Sequence, residues 1–210
     1  MKKFVLILTI AALAGCNSNS TTGIDGHEHA DTTRNHINQL HASMTRMMTD
    51  MRNAQPSGNP DKDFARMMMI HHQAAVKMSQ VQLAGGSDST MLELAQSIIG
   101  DQQKEILVFD EFINGNKGLK GKSRLGQRFL DLMNDHDRKR ATSTVDGSFV
   151  NMMIPHHEDA IKMAKEYLKE AKEDKLKKIA ENIISSHEKE ILQMQSWLAT
   201  WQEPSAQEGN

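Results

Sequence analysis

The sequence predicts an all-α protein: a four-helix bundle built from a two-helix unit that occurs twice, with one helix added before the units and another between them. Three observations carry this prediction. The chain repeats itself at a fixed offset, its apolar residues recur at helical spacing, and strand signals are nearly absent. The repeat emerges when the chain is slid along itself by 85 positions, the separation of His71 and His156. Phe64 then meets Phe149, Met67-Met68 meets Met152-Met153, and His71-His72 meets His156-His157. Val76-Lys77-Met78 meets Ile161-Lys162-Met163, Ile98-Ile99 meets Ile183-Ile184, and Lys104-Glu105-Ile106 meets Lys189-Glu190-Ile191. The offset does not drift between Phe64 and Ile106, which marks a duplication rather than a chance alignment of hydrophobic residues.

Taken in order, the elements begin with an address. Met1-Lys2-Lys3 is a positive start, and Phe4 to Ala14 is an apolar run well short of the about 20 residues that span a bilayer. That order fits a secretory signal peptide over residues 1–15. The run ends Leu13-Ala14-Gly15-Cys16, which resembles the bacterial lipobox. The resemblance implies a lipid anchor on Cys16 and a periplasm-facing place in the cell envelope, on the outer membrane in a Gram-negative source. Residues 16–33 are rich in Ser, Thr, Asn, Asp and Gly and read as a flexible tether. The helical domain is expected over residues 34–202, and residues 203–210 read as a disordered tail.

Within that domain, Arg34 to Arg52 reads as the added N-terminal helix. The first unit, about residues 62–114, has the stripe Phe64, Met68, His71, Ala75 and Met78. Gly85-Gly86-Ser87-Asp88 breaks it, and Leu92, Ala95, Ile99, Gln102, Ile106, Phe109 and Ile113 continue as a second helix. Leu125 to Arg140 reads as the linking helix. The second unit, about residues 147–199, carries Phe149, Met153, His156, Ala160, Met163 and Tyr167, then Leu176, Ala180, Ile183, His187, Ile191, Met194 and Leu198. Pro155 either opens its helix at the first turn or kinks it, because its ring removes a donor.

Composition narrows the chemistry. A net charge of −2, no phosphate-cradling glycine loop and no basic stripe set aside nucleic-acid and nucleotide binding, and no nucleophile elbow marks a hydrolase. A single cysteine excludes an internal disulfide framework and a cysteine-rich zinc site. What stands out is 15 methionines and 10 histidines against 4% aromatic residues. Methionine fills irregular cores, and thioether sulfur also suits Cu(I); imidazole suits copper more broadly.

Two groups of residues are candidate metal ligands. Adjacent helical residues point about 100° apart, so only one histidine of each pair can aim at the bundle axis. His71, His156 and His187 fall on the core stripes, with His72 and His157 at their shoulders. Glu105 and Glu190 lie one turn beyond Gln102 and His187 as surrounding carboxylates. Converged in a bundle, these groups form either a metal site or a buried polar network that fixes the register of the halves. The order His187-x-x-Glu190 and the low carboxylate count differ from the Glu-x-x-His pattern of di-iron sites. The second group is His41, Met44, Met48 and Met51, within about 80° on a helical wheel. It reads either as a soft copper site or as the ordinary apolar face of a packed helix. Met67, Met68, Met152 and Met153 stand beside the histidine pairs and extend the candidate donor set. Met67-Met68-Met69 spans about 200° of helix and cannot face one core.

Phe64-x-x-x-Met68-x-x-His71-His72 and Phe149-x-x-x-Met153-x-Pro155-His156-His157, each followed by Glu-Ile, resemble the domain of unknown function 305 family from about Asp63 to Trp201. The resemblance implies a ferritin-like four-helix bundle and makes His71, His72, His156 and His157 signature positions. It also implies metal ions as partners, since the family includes a periplasmic copper-binding protein whose methionine-rich motifs bind Cu(I) and Ag(I). The leading expectation is a non-enzymatic envelope lipoprotein that binds copper as Cu(I), with silver second and iron or zinc behind them. It would sequester the metal or hand it to a copper export or resistance protein. The alternatives are a ferritin-like metal-dependent oxidase and a helical interaction module with structural histidines. Exposed methionine clusters would favour the first over the module, and a closed histidine–carboxylate cluster would favour the oxidase.

Overall fold

The computed structural model describes residues 25–133 and 141–202. Among them every regular element is an α-helix: α1 (Asp25–Asn53), α2 (Pro60–Gly85), α3 (Ser89–Gly115), α4 (Leu125–Met133), α5 (Val145–Leu168) and α6 (Asp174–Thr200). The signal peptide, Cys16, residues 203–210 and the far half of the linking helix expected to reach Arg140 lie outside the described residues.

Each repeat is a helical hairpin started by the same device. Asn59 Oδ1 accepts from the Lys62 N–H at 3.0 Å, and Thr144 Oγ1, at the matching place, accepts from the Gly147 N–H at 3.1 Å. Both are N-caps that satisfy a donor the helix itself leaves open. Pro60 opens α2, where a missing N–H costs nothing. Pro155 behaves differently from one of the two sequence alternatives. It lies inside α5, which already starts at Val145, so it does not open the helix. Its ring leaves the Asn151 carbonyl without the usual donor four residues on.

The hairpins α2–α3 and α5–α6 meet chiefly through α2 against α5, while α3 and α6 touch sparsely. α1 and α4 both lie against α2 and α5. The two central helices are therefore covered on several sides. This explains why Met67 and Met68 are buried and Met69 half-buried although they point apart. α1 is docked by Leu40, Met44, Met47, Met48 and Met51, all at most 8% exposed. It starts at Asp25, well before the Arg34 read from the apolar stripe, because helix propagation past a packed segment needs no further apolar residue. At one level of the bundle Phe64 stacks on Tyr167 with ring centroids 4.0 Å apart and meets Phe109 edge-on at 5.7 Å, so one aromatic group joins both hairpins. Among the described residues no helix is long and apolar enough to cross a membrane.

The hairpins also clasp each other through two buried aspartates at equivalent positions. Asp61, in the first turn of α2, accepts at Oδ1 from the Tyr167 hydroxyl (2.7 Å) and from the Lys172 and Glu173 N–H groups (2.9 and 3.1 Å) ahead of α6. Asp146, in the first turn of α5, accepts from the Gln82 amide, the Ser87 N–H and hydroxyl (both 3.0 Å to Oδ2) and the Asp88 N–H (3.3 Å to Oδ1) ahead of α3. Each repeat thus holds the other's turn. Burial, reinforced by Asp61, pushes the Tyr167 hydroxyl above the usual phenol range and keeps it a donor.

The loops that enter α2 and leave α3 are paired. Gly121 N–H donates to the Ser57 carbonyl at 3.2 Å and Ser123 N–H to the Gly58 carbonyl at 2.8 Å. Gly58 has φ +73°, and a Cβ there would collide with the Gly121 carbonyl. Gly58→Ala should lower unfolding stability by about 2 kcal/mol in urea denaturation. An unchanged midpoint would show that the two loops part freely.

Candidate metal centre

All four helices of the two hairpins supply the centre. α2 brings His71 and His72, α3 brings Gln102 and Glu105, α5 brings His156 and His157, and α6 brings His187 and Glu190. The five imidazoles are between 0% and 2% exposed. The sequence argument that one histidine of each pair must sit at a shoulder holds, but the shoulder is not solvent. His71 and His156 face each other across α2 and α5 with ring centroids 3.7 Å apart, so equivalent residues of the two repeats meet there. His72 and His157 turn toward the α3–α6 side, where the His187 ring lies 5.9 Å from one and 4.1 Å from the other.

The carboxylates close that side. His72 Nε2 is hydrogen-bonded to Glu105 Oε2 at 2.7 Å. His157 Nε2 approaches Glu190 Oε2 to the same 2.7 Å, but off the hydrogen-bonding direction, so neither atom makes a hydrogen bond. His187 Nδ1 stands 3.6 Å from the same oxygen and 3.4 Å from the Ser186 hydroxyl. Glu105 and Glu190 remain 21% and 16% exposed, which makes them the solvent-facing edge of the cluster. Further ring nitrogens, both of His156, Nδ1 of His72 and of His157, and Nε2 of His187, make no hydrogen bond in the protein, nor does the amide of Gln102.

Buried polar atoms in such numbers are costly unless something satisfies them. Burial holds the His156 ring well below its usual pKa, and the neighbouring His71, His157, His187 and His72 lower it further. Burial, followed by His157, His72 and His71, does the same to His187. Both rings are therefore neutral near pH 7 and carry the lone pair that a metal requires. Among the described residues His157, His187 and Glu190 form a group of three ligands whose donor atoms all lie within 4.8 Å of one another. These residues fit a metal ion by chemistry and by geometry.

The other candidate donors are placed differently. Met44, Met48 and Met51 are core residues between α1 and the bundle, with His41 half-buried at their edge. Met67, Met68, Met152 and Met153 are at most 3% exposed, and each precedes its histidine pair by about one turn. The methionine clusters are thus enclosed rather than exposed. The sequence reading missed the Asp61 and Asp146 clasp. Its one available signal was that both aspartates, and the turns they hold, also stand 85 residues apart.

Residues 10–113 and 146–210 match the model of a family described as domain of unknown function (DUF305). The chain belongs to that family. Solved structures place it beside CopM in several states. The Cu(I)-bound form of CopM has 28% sequence identity and a TM-score of 0.54 over 67% of this chain and 96% of that one. The Cu(II)-bound form has 28% identity and a TM-score of 0.55 over 68% and 98%, and an Ag-bound form 29% and 0.53 over 67% and 96%. No curated protein matches the sequence. DUF305 membership and the CopM likeness agree with the all-helical bundle expected from the duplicated motif.

Proposed function

We propose that this DUF305 protein is a metal-handling protein of the cell envelope that binds copper, and silver as a second soft ion, for sequestration or handover. The observation that carries the reading is the buried set of ring nitrogens that make no hydrogen bond in the protein, both of His156, Nδ1 of His72 and of His157, and Nε2 of His187, with the His156 and His187 rings held neutral by burial. Imidazole suits copper, and the related CopM has been solved with Cu(I), Cu(II) and Ag bound. His71, His72, His156, His157 and His187 are the main donors in this proposal, with Glu105 and Glu190 at the rim. Met67, Met68, Met152 and Met153 offer thioethers one turn away. His41, Met44, Met48 and Met51 are a second, softer donor set for Cu(I) in this proposal. Lipidation of Cys16 would anchor the protein facing the periplasm, where a copper export or resistance protein would receive the ion.

The test is an anaerobic Cu(I) and aerobic Cu(II) titration against a competing chelator. Changing His156 and His157 together to Ala should weaken the tightest site at least about tenfold. Changing Met44, Met48 and Met51 to Leu should leave that site intact and remove only weaker Cu(I) equivalents. Retention of neither copper ion would end the copper reading, and binding of Fe(II) or Zn(II) instead would reassign the centre to those ions.

A metal-dependent oxidase is the second reading, and one observation favours it: the histidine–carboxylate cluster is closed. Sustained dioxygen consumption by the loaded protein with a reductant would promote that reading over storage and handover.

A further inference from the structure

The duplication invites the expectation of two equivalent metal sites, one per repeat. The two halves of the cluster are not equivalent. At the position where α6 carries His187, α3 carries Gln102, which is 2% exposed with neither amide atom hydrogen-bonded. The consequence is visible in the two matching His–Glu pairs. In the first repeat His72 Nε2 and Glu105 Oε2 satisfy each other with a hydrogen bond. In the second, His157 Nε2 and Glu190 Oε2 come equally close without bonding, and the His187 ring joins them. An uncommitted nitrogen and an uncommitted carboxylate oxygen, converging with a second imidazole, are arranged as ligands to a shared ion. A His–Glu pair already closed on itself, beside a glutamine, is arranged as a structural hydrogen bond.

We propose that the cluster holds a single divalent cation, ligated by His157, His187 and Glu190 of the second repeat, and that Gln102 leaves the first repeat one ligand short. The proposal rests on the reading of the cluster as a metal centre and refines it. Two imidazoles and one carboxylate form a borderline-to-hard donor set, suited to Cu(II) or Zn(II) rather than to the thioether-seeking Cu(I). Glu190, 16% exposed, is the solvent-facing ligand of the three and would give the ion its entry side. The partly exposed Glu105 of the first repeat stays on His72 and orients that ring.

The experiment counts ions. The full chain is loaded with Zn(II), which thioethers bind poorly, stripped of loosely held ions by a competing chelator, and analysed for metal per chain. The expected result is one retained Zn(II) in the native protein, none in H187Q or E190Q, and two in Q102H. H187Q copies the glutamine that the first repeat already accommodates, and E190Q keeps the side-chain shape. Loss of metal with retained helicity, and with the same unfolding midpoint as the native chain when both are metal-free, therefore reports ligation rather than folding. Substituting Co(II) in the native chain should give the visible absorption of a low-coordinate nitrogen–oxygen site, absent in H187Q. Two ions in the native chain, retention in H187Q, or a single ion in Q102H would overturn the asymmetry while leaving a metal centre in place. No Zn(II) in any variant, with copper still retained, would overturn the divalent site and leave the copper reading standing. Failure to retain any metal would remove both.

Discussion

Asp146→Ala should cost about 3 kcal/mol of unfolding stability, and Asp61→Ala a similar amount, measured by urea denaturation at pH 7. Each carboxylate is 5% exposed and accepts several donors from the turn of the opposite repeat. Alanine would leave the Ser87 and Asp88 N–H groups, or those of Lys172 and Glu173, without their acceptor, and the cost of an orphaned buried donor exceeds the net gain of the bond it once made. There is an electrostatic part as well. Each aspartate sits in the first turn of its own helix and beside the start of another, so one negative charge serves two positive helix ends. α6 feels the loss of Asp61 most, because its own N-cap residue, Glu173, makes no side-chain capping bond, whereas Asp88 caps α3 through the Met91 N–H. The two substitutions act on different turns and should add within about 0.5 kcal/mol. A loss below about 1 kcal/mol for both would show that the clasp is replaced by water and that α2 against α5 alone joins the repeats.

This clasp also shows what the sequence discloses and what it hides. The duplication was legible because it is a one-dimensional regularity, and it leads directly to the hairpins, to His71 facing His156, and to the level at which Glu105 and Glu190 meet the histidines. The partner of Asp61 lies 111 positions away, at Lys172, and a lone aspartate early in a helix reads as a local dipole complement. Only the docking of one repeat on the other turns it into a cross-link. The methionines were ambiguous for a related reason. A helical wheel shows that Met67, Met68 and Met69 point apart, but not that α2 is surrounded by α1, α3, α4 and α5. Likewise His41, Met44, Met48 and Met51 satisfy a metal-binding and a packing pattern equally well. The buried side chains of α1 show that packing is served first. The inequality of the halves was readable in Gln102 standing at the repeat position equivalent to His187. That it leaves one His–Glu pair bonded and the other open needed three dimensions.

The protein without metal should lose stability on acidification, beginning near pH 6.5. His156 and His187 are held neutral in the folded state, their pKa lowered first by burial and then by the surrounding imidazoles. In the unfolded chain they regain the ordinary histidine value of about 6.5. Above that pH neither state binds these protons, and the two rings contribute no pH dependence. Below it the unfolded chain takes up protons that the fold excludes, so the unfolded state gains with every step down in pH. Each ring adds at most about 1.4 kcal/mol per pH unit below that point. Urea midpoints measured across that range should fall steadily, and His156→Leu should make the slope shallower by about half while raising stability at pH 5. A flat profile would mean that the folded cluster accepts protons as readily as water does, which is incompatible with rings between 0% and 2% exposed. The same competition bears on the ion, because a metal needs the lone pairs that protons would occupy. Metal should therefore shift the onset of acid unfolding to lower pH, and acidification should release it over the range in which the apo fold weakens. A protein that meets its metal near neutral pH and holds it in such a cluster would then give it up on acidification, without any separate switch.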